Sequence, residues 1–297
     1  MSGRLRVATR GSALALAQTE AVIARLGVDA ELVVVSTTGD RRIDAPIHTL
    51  GGTGVFVKEV QEAVLAGVAE VAVHSAKDLP SLTAPGLLLA AVPERGDPRD
   101  ALVGASLAAL GPGARIGTGS VRRRAQLAAL EPDLTFGELR GNIGTRLDKA
   151  ADFDAIVVAA VALERLGLAA RIAERLDPAQ MLPQVGQGAI AVECRADDER
   201  ARAALADIDD ADAHTAVRAE RAFLATLGGG CNLPCGALAQ VVDNRVEIEV
   251  LLASLDGRTV LRARGAGPAA DAEALGVDTA RRLLDEHGGR ALLEEVA

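Results

Sequence analysis

Cys231 ends a glycine run, Gly228-Gly229-Gly230-Cys231, near the start of the last third of the sequence. Three glycines remove side-chain bulk and permit tight backbone turns, so the thiol is presented on a loop. That is the setting of an attachment point or a nucleophile, because a thiolate reacts only where a partner can reach it. The plain alternative is a buried cysteine packed as a small hydrophobe. Lys77-Asp78 follows a short apolar run ending at His74. A carboxylate there serves as general acid or base, or as the counter-charge to a cationic intermediate; otherwise it is a turn residue before Pro80. His74, at a strand end, reads as structural, and Cys194, inside a strand-like run, reads as core. Cys231 and Cys235 are spaced Cys-x-x-x-Cys with no second ligand pair, so no metal site is expected.

Three further loops carry arginine beside glycine or a small hydroxyl residue: Thr9-Arg10-Gly11-Ser12, the run from Gly117 through Thr118, Gly119 and Ser120 to Arg122-Arg123-Arg124, and Arg140-Gly141-Asn142 leading to Arg146. Each sits where a strand passes into a helix. Free N–H groups and the helix dipole favour anions at such junctions, and arginine adds a planar fork that grips a carboxylate or phosphate at two points. Three such loops in one chain point to a ligand with several negative charges. Walker-type Gly-x-x-x-x-Gly-Lys-Ser/Thr is absent, and Gly51-Gly52-Thr53-Gly54 lacks the continuation of a dinucleotide fingerprint. A polycarboxylate therefore fits better than a nucleotide.

The elements that must hold these loops alternate. Residues 5–9 read as a strand, 13–26 as a helix capped by Ser12, 31–36 as a strand, 55–67 as a helix and 70–74 as a buried strand. After a break at residues 93–98, strands at 115–118 and 155–159 and helices at 121–130 and 146–150 repeat the scheme. Such alternation implies α/β units with largely parallel sheets. A strand at 189–193 follows the loop Pro183-Gln184-Val185-Gly186-Gln187-Gly188. The tail differs: a helix at 215–227, the Cys231 loop, strands at 245–254 and 259–265 and a helix at 271–286 make an α+β module.

At 297 residues the chain is long for one core, and two or three domains are expected. A net charge of -9 and the absence of Trp and Tyr argue against a nucleic-acid binder, which would want a basic surface and stacking rings. No run of roughly 20 apolar residues predicts a membrane span. The first residues lack a secretory apolar region and the cysteine number is odd, so a reducing, cytoplasmic setting is expected. Lysine occurs only at positions 58, 77 and 149, so arginine supplies nearly all the positive charge.

Together these segments resemble the porphobilinogen deaminase (hydroxymethylbilane synthase) family over nearly the whole chain. The resemblance runs through residues 6–18, 54–59, Val73-His74-Ser75-Ala76-Lys77-Asp78-Leu79-Pro80, Asp97-Pro98-Arg99-Asp100, 120–123, Arg140-Gly141-Asn142, 145–147, 185–188, 220–224 and Gly229-Gly230-Cys231. Order and spacing make it specific. It implies two α/β domains like type II periplasmic binding proteins, flanking a cleft, plus a small C-terminal α+β domain. The implied boundaries are 1–94 with 188–207, then 95–187, then 208–297, the strand after Gly188 returning to the first domain. It also implies stepwise head-to-tail joining of four porphobilinogen molecules with release of ammonia, in tetrapyrrole biosynthesis, by a monomer that binds neither nucleic acid nor membrane. The primer would be a dipyrromethane held by a thioether to Cys231.

Residue by residue, the match makes Asp78 catalytic, stabilising the cation left by ammonia loss. Lys77, Asp78, Ser75, Thr118, Ser120, Arg122, Arg123, Arg140 and Gly141 would hold the cofactor. Arg10, Ser12, Gln18, Arg140, Arg146, Arg165 and Gln187 would hold the substrate. Each pyrrole carries an acetate and a propionate, so a growing chain gathers carboxylates that need arginines. The sequence departs from the family at Thr53 (commonly lysine), Gly119 (serine) and Gly144 (frequently asparagine). Two other readings compete. A non-enzymatic polyanion-binding protein of the same two-domain architecture would carry no covalent group. A thiol-dependent acyl transferase or hydrolase would want a histidine partner for Cys231, and none of His48, His74, His214 and His287 sits in a comparable motif.

Overall fold

Val7 and Ala8, adjacent on the first strand, are both fully buried, as in a strand covered on both faces of a sheet. The computed structural model describes residues 4–41, 54, 56–229 and 233–296. They fall into two compact units, Met1–Gly96 with Ala189–His214, and Asp97–Gly188 with Thr215–Ala297. The first begins with β1 (Leu5–Arg10), which passes through Ser12 into α1 (Ala13–Leu26). The Ser12 hydroxyl accepts from Ala15 N–H as the helix cap, and Gly27 ends the helix in the left-handed region. Then come β2 (Ala30–Val35), the short α2 (Thr38–Arg41), α3 (Lys58–Leu65), β3 (Val71–Ser75), a 3-10 turn at Ala76–Asp78 and β4 (Leu87–Ala91).

The chain next builds most of the second unit: β5 (Asp100–Val103), β6 (Arg115–Gly117), α4 (Val121–Leu130), β7 (Thr135–Gly137), α5 (Ile143–Asp148), β8 (Ala155–Ala159), α6 (Ala160–Arg165) and β9 (Glu174–Arg175). It returns to the first unit as β10 (Ile190–Arg195) and α7 (Glu199–Ala206). The first sheet has the order β2-β1-β3-β10-β4, the second β7-β6-β8-β5-β9. Both share one plan: three parallel strands, then one antiparallel strand, then an edge. β10 fills the fourth place in the first sheet, pairing Val192 with Val73 and Cys194 with Val71. β5 fills it in the second. Side chains of the first sheet alternate between two cores, Val7, Val71 and Val73 on one face and Ala8 and Ala72 on the other.

The last part is an α+β module. α8 (Ala211–Thr226) leads to a three-stranded antiparallel sheet, β11 (Cys235–Val242), β12 (Arg245–Ala253) and β13 (Val260–Pro268), followed by α9 (Ala272–Asp285) and α10 (Gly289–Val296). β11 and β12 are joined by Asp243 and Asn244, both at positive φ, in the manner of a two-residue hairpin turn. Phe223 of α8, Val250 of β12 and Leu283 of α9 share a core. Gly236 lets β11 approach the preceding loop: a β-carbon there would lie 2.7 Å from the Pro183 carbonyl.

Several elements depart from the periodicity. α8 starts at residue 211 rather than 215 because the Asp210 carboxylate caps it, accepting from Ala213 N–H at 2.8 Å. α5 starts at residue 143 rather than 146 because Asn142 caps it. β4, β5, β7, β9, β11, α2, α6, α7 and α10 are additional; the strands among them are short or, as with β11, follow directly on a Gly/Cys/Pro run that reads as loop. Glu220 of α8 is fully buried, and its carboxylate accepts from Gly186 N–H at 2.7 Å and Ala239 N–H at 2.8 Å. Glu220→Ala would leave two buried donors without it, so urea denaturation should show a loss of about 3 kcal/mol or more.

Candidate functional site

The strand-to-helix junctions gather the expected site residues in two groups, one in each unit. In the first, β3 delivers Ser75, and the 3-10 turn behind it delivers Lys77 and Asp78. The Asp78 side chain is 31% exposed, and Arg10 Nη1, from the end of β1, lies 3.9 Å from its Oδ2. The Arg10 guanidinium also sits 4.2 Å above the Phe56 ring, a cation–π contact that fixes its plane. Gln18 is buried on α1 and accepts from Ser75 Oγ at 3.0 Å. Ser12 serves as the cap of α1. His74 points into the core, 3.3 Å from the buried Glu193 carboxylate that also accepts from Gln61. The first unit thus offers a half-exposed carboxylate with two cationic residues close by in the chain or in space.

The second group is built around α4. Ser120 caps the helix, accepting from Arg123 N–H, and Thr118 Oγ1 accepts from Ser120 N–H at 3.2 Å. Arg122 and Arg123 then occupy the first helical turn, where the dipole disfavours cations. Both are buried, against a fully buried carboxylate, Asp100, at the head of β5. Arg123 donates from Nε to Asp100 Oδ1 at 2.9 Å and from Nη1 to the Val157 carbonyl at 3.0 Å, and its Nη2 reaches Gln187 Oε1 at 3.5 Å. Gln187 in turn donates to Asp100 Oδ1 at 3.0 Å and to the Pro98 carbonyl at 2.8 Å.

Arg122 is held differently. Its Nη1 lies 2.7 Å from Asp100 Oδ2 and donates to the Leu182 carbonyl at 2.7 Å. Its Nε and Nη2 are buried and have no hydrogen-bond partner among the described residues. Those two donors form one edge of the guanidinium, the edge that takes a carboxylate two-point. Each such orphan donor costs about 1–3 kcal/mol. Burial alone would raise the Asp100 carboxyl, but the charges of Arg122 and Arg123 outweigh it and hold it well below the usual carboxylate range. Two guanidiniums and a helix N-terminus against one carboxylate leave positive charge over.

The remaining arginines sit on nearby loops. Arg140 pairs with Glu138 at 3.1 Å, and Arg146 Nε donates to the Gly141 carbonyl at 2.8 Å. Gly141 has φ of 111°, and a β-carbon there would lie 2.7 Å from Thr145, so glycine is required twice over. Arg165 donates to the Gly188 carbonyl at 2.7 Å, and burial brings its guanidinium down to about 10. Gly119 is approached to 3.0 Å by the Leu139 carbonyl at the β-carbon position, which disfavours the serine common there in the resemblance. Cys231 and Thr53 lie outside the described residues.

A family described as "Porphobilinogen deaminase, dipyromethane cofactor binding domain" matches residues 5–203, and "Porphobilinogen deaminase, C-terminal domain" matches residues 214–285. The chain belongs to the porphobilinogen deaminase family. The porphobilinogen deaminase of Syntrophobacter fumaroxidans is 46% identical over 98% of this chain and 97% of its own. That of Roseiflexus sp. strain RS-1 is 49% identical over 99% of both. Among solved structures, the Bordetella pertussis BvgS periplasmic VFT2 domain aligns with 17% identity over 69% of this chain and 86% of its own, at a TM-score of 0.39. The family cofactor, dipyrromethane, bears carboxylates, and the orphan edge of Arg122 fits such a group.

Asp100 was not legible as a site residue although its motif was: its partners lie more than twenty residues ahead. An acid heading an apolar strand, Asp100-Ala101-Leu102-Val103, is the signal that could have found it. Phe56 and Glu220 were missed in the same way. Because the folded Asp100 carboxyl is held below its unfolded value of about 3.9, its pairing contributes fully above that pH and is lost as pH falls towards the folded value. Asp100→Ala should cost about 3–5 kcal/mol at pH 7, and the gap to the parent chain should narrow in urea titrations at pH 3. A gap constant between the two would remove the ion pair from this role.

Proposed function

We propose that this member of the family is a transferase that joins four porphobilinogen molecules head to tail, with release of ammonia, and frees hydroxymethylbilane by hydrolysis. The observation that carries the reading is the near-full-length family match, together with Asp78 and the arginine loops in their motif positions. Dipyrromethane, attached as a thioether to Cys231, would supply the pyrrole terminus to which substrate is added. Arg122 and Arg123, with Thr118, Ser120, Lys77, Ser75, Arg140 and Gly141, would hold its carboxylates and backbone-facing atoms. Arg10, Arg146, Arg165, Gln18, Ser12 and Gln187 would orient the incoming substrate.

Asp78 is given the central step. When ammonia leaves the substrate, positive charge develops over the ring and its methylene, and a nearby carboxylate lowers the energy of that state. The same carboxylate is suited to accept pyrrole N–H bonds and then a proton. Its partial exposure leaves it room to do so, and Arg10 Nη1 lies 3.9 Å from its Oδ2.

We also place the domains at 1–94 with 188–207, 95–187 and 208–297, a partition supported by the three separate sheets. A monomer in the cytoplasm is part of this reading; an odd number of cysteines, which cannot all pair with one another, supports a reducing compartment. Among the described residues, no helix is long and apolar enough to cross a membrane.

Intact-protein mass spectrometry of the purified chain should find it heavier by one dipyrromethane, and Cys231→Ser should lose that mass. An unmodified parent chain that still consumes porphobilinogen would sink the cofactor assignment. Asp78→Asn should keep the adduct yet turn over about a hundredfold or more slowly, as expected for a general acid–base group; near-normal turnover would take the step away from Asp78.

A further inference from the structure

Arg122 and Arg123 are adjacent and alike in sequence, yet the structure gives them different work, and Asp100 is what separates them. Arg123 directs its Nε, Nη1 and Nη2 at protein acceptors: Asp100, the Val157 carbonyl and Gln187. Arg122 directs only its Nη1 inward, to Asp100 and the Leu182 carbonyl. Its Nε–Nη2 edge remains buried and without a partner among the described residues, the side chain as a whole being 3% exposed. A guanidinium is planar, so fixing one corner by a charge and a carbonyl fixes the direction of the opposite edge.

We propose that Asp100 is a positioning residue that aims the Nε–Nη2 edge of Arg122 at a carboxylate of the bound pyrroles. The inference rests on the function proposed above. Without the Asp100 charge, two neighbouring guanidiniums would repel each other at the positive end of α4. Arg122 would then turn its fork away from one direction and spread over several. Arg123 and Gln187, both bonded to Asp100 Oδ1, brace the carboxylate so that Oδ2 is left for Arg122. Asp100 touches no ligand in this scheme; it acts on the ligand through Arg122.

The test follows cofactor loading rather than turnover. Chain produced without porphobilinogen is mixed with porphobilinogen at rising concentrations, and formation of the adduct is timed by intact mass, with circular dichroism verifying the fold. Asp100→Asn keeps the size and loses the charge. The expected result is a folded chain whose half-saturating porphobilinogen concentration rises about tenfold or more, while the rate at saturation falls less. A role confined to stability would lower the folded fraction and leave half-saturation unchanged, and that result in folded Asp100→Asn overturns the proposal. Should Asp100→Asn fail to fold, Asp100→Glu retains the charge but displaces the carboxylate by a methylene; raised half-saturation supports the proposal and the parent value overturns it. A parent chain that gains no adduct under any condition would instead overturn the functional reading, and this inference with it.

Discussion

A single buried carboxylate sets the geometry of the second unit. Asp100 is fully buried and the two guanidiniums that face it are buried as well, so each charge taken out of water there needs the others beside it. Their pairing therefore requires the head of β5, the first turn of α4 and the segment around Leu182 to assemble together. Gln126 extends the arrangement one turn further along α4, exchanging hydrogen bonds with Leu182 N–H at 2.7 Å and its carbonyl at 3.0 Å. From Leu182 the order passes to the C-terminal sheet, because Ala237 N–H donates to the Pro183 carbonyl at 3.0 Å. Glu220 ties the same loop to α8 and β11. One electrostatic demand thereby fixes the arginine fork, the loop bearing Gln187 and the strand that starts at Cys235.

The two units meet different physical demands. In the first, Asp78 and Arg10 are partly exposed and loosely paired, so the carboxylate can change its partners. Phe56 constrains Arg10 without using its hydrogen bonds, since the contact is made through the ring face. In the second, buried groups hold one another rigidly and desolvation strengthens each charge.

The parts of this arrangement that the sequence made legible are those decided locally. Ser12, Ser120 and Asn142 lie next to the helices they cap, and a cap needs only its own backbone two or three residues on. Asp78 was visible because a strand, a turn and a proline surround it within ten residues. The family resemblance supplied Cys231 and the arginines as a set. It could not divide their labour: Arg122 and Arg123 look equivalent until Asp100 and the Val157 carbonyl are brought to them. β7 and β9 span three and two residues, too few to show a period of two. The fourth place in the second sheet was hidden too, because β5 pairs with β8 across more than fifty residues rather than by local pattern; the return of β10 to the first unit came from the resemblance alone.

That insertion carries a consequence for synthesis. β3 and β4 are made early, but the strand that lies between them, β10, is encoded about a hundred residues later. At translation rates of 5–20 residues per second, the nascent first unit waits on the order of ten seconds with the facing edges of both strands unpaired. Val71, Val73 and Leu87, all core residues in the finished sheet, flank that gap. For that interval the molecule is a half-built sheet whose open slot matches β10 and, in a crowded cell, any other extended apolar segment. The order of strands in the chain therefore makes a vulnerable period in the life of every new copy, closed only when residues 190–195 arrive.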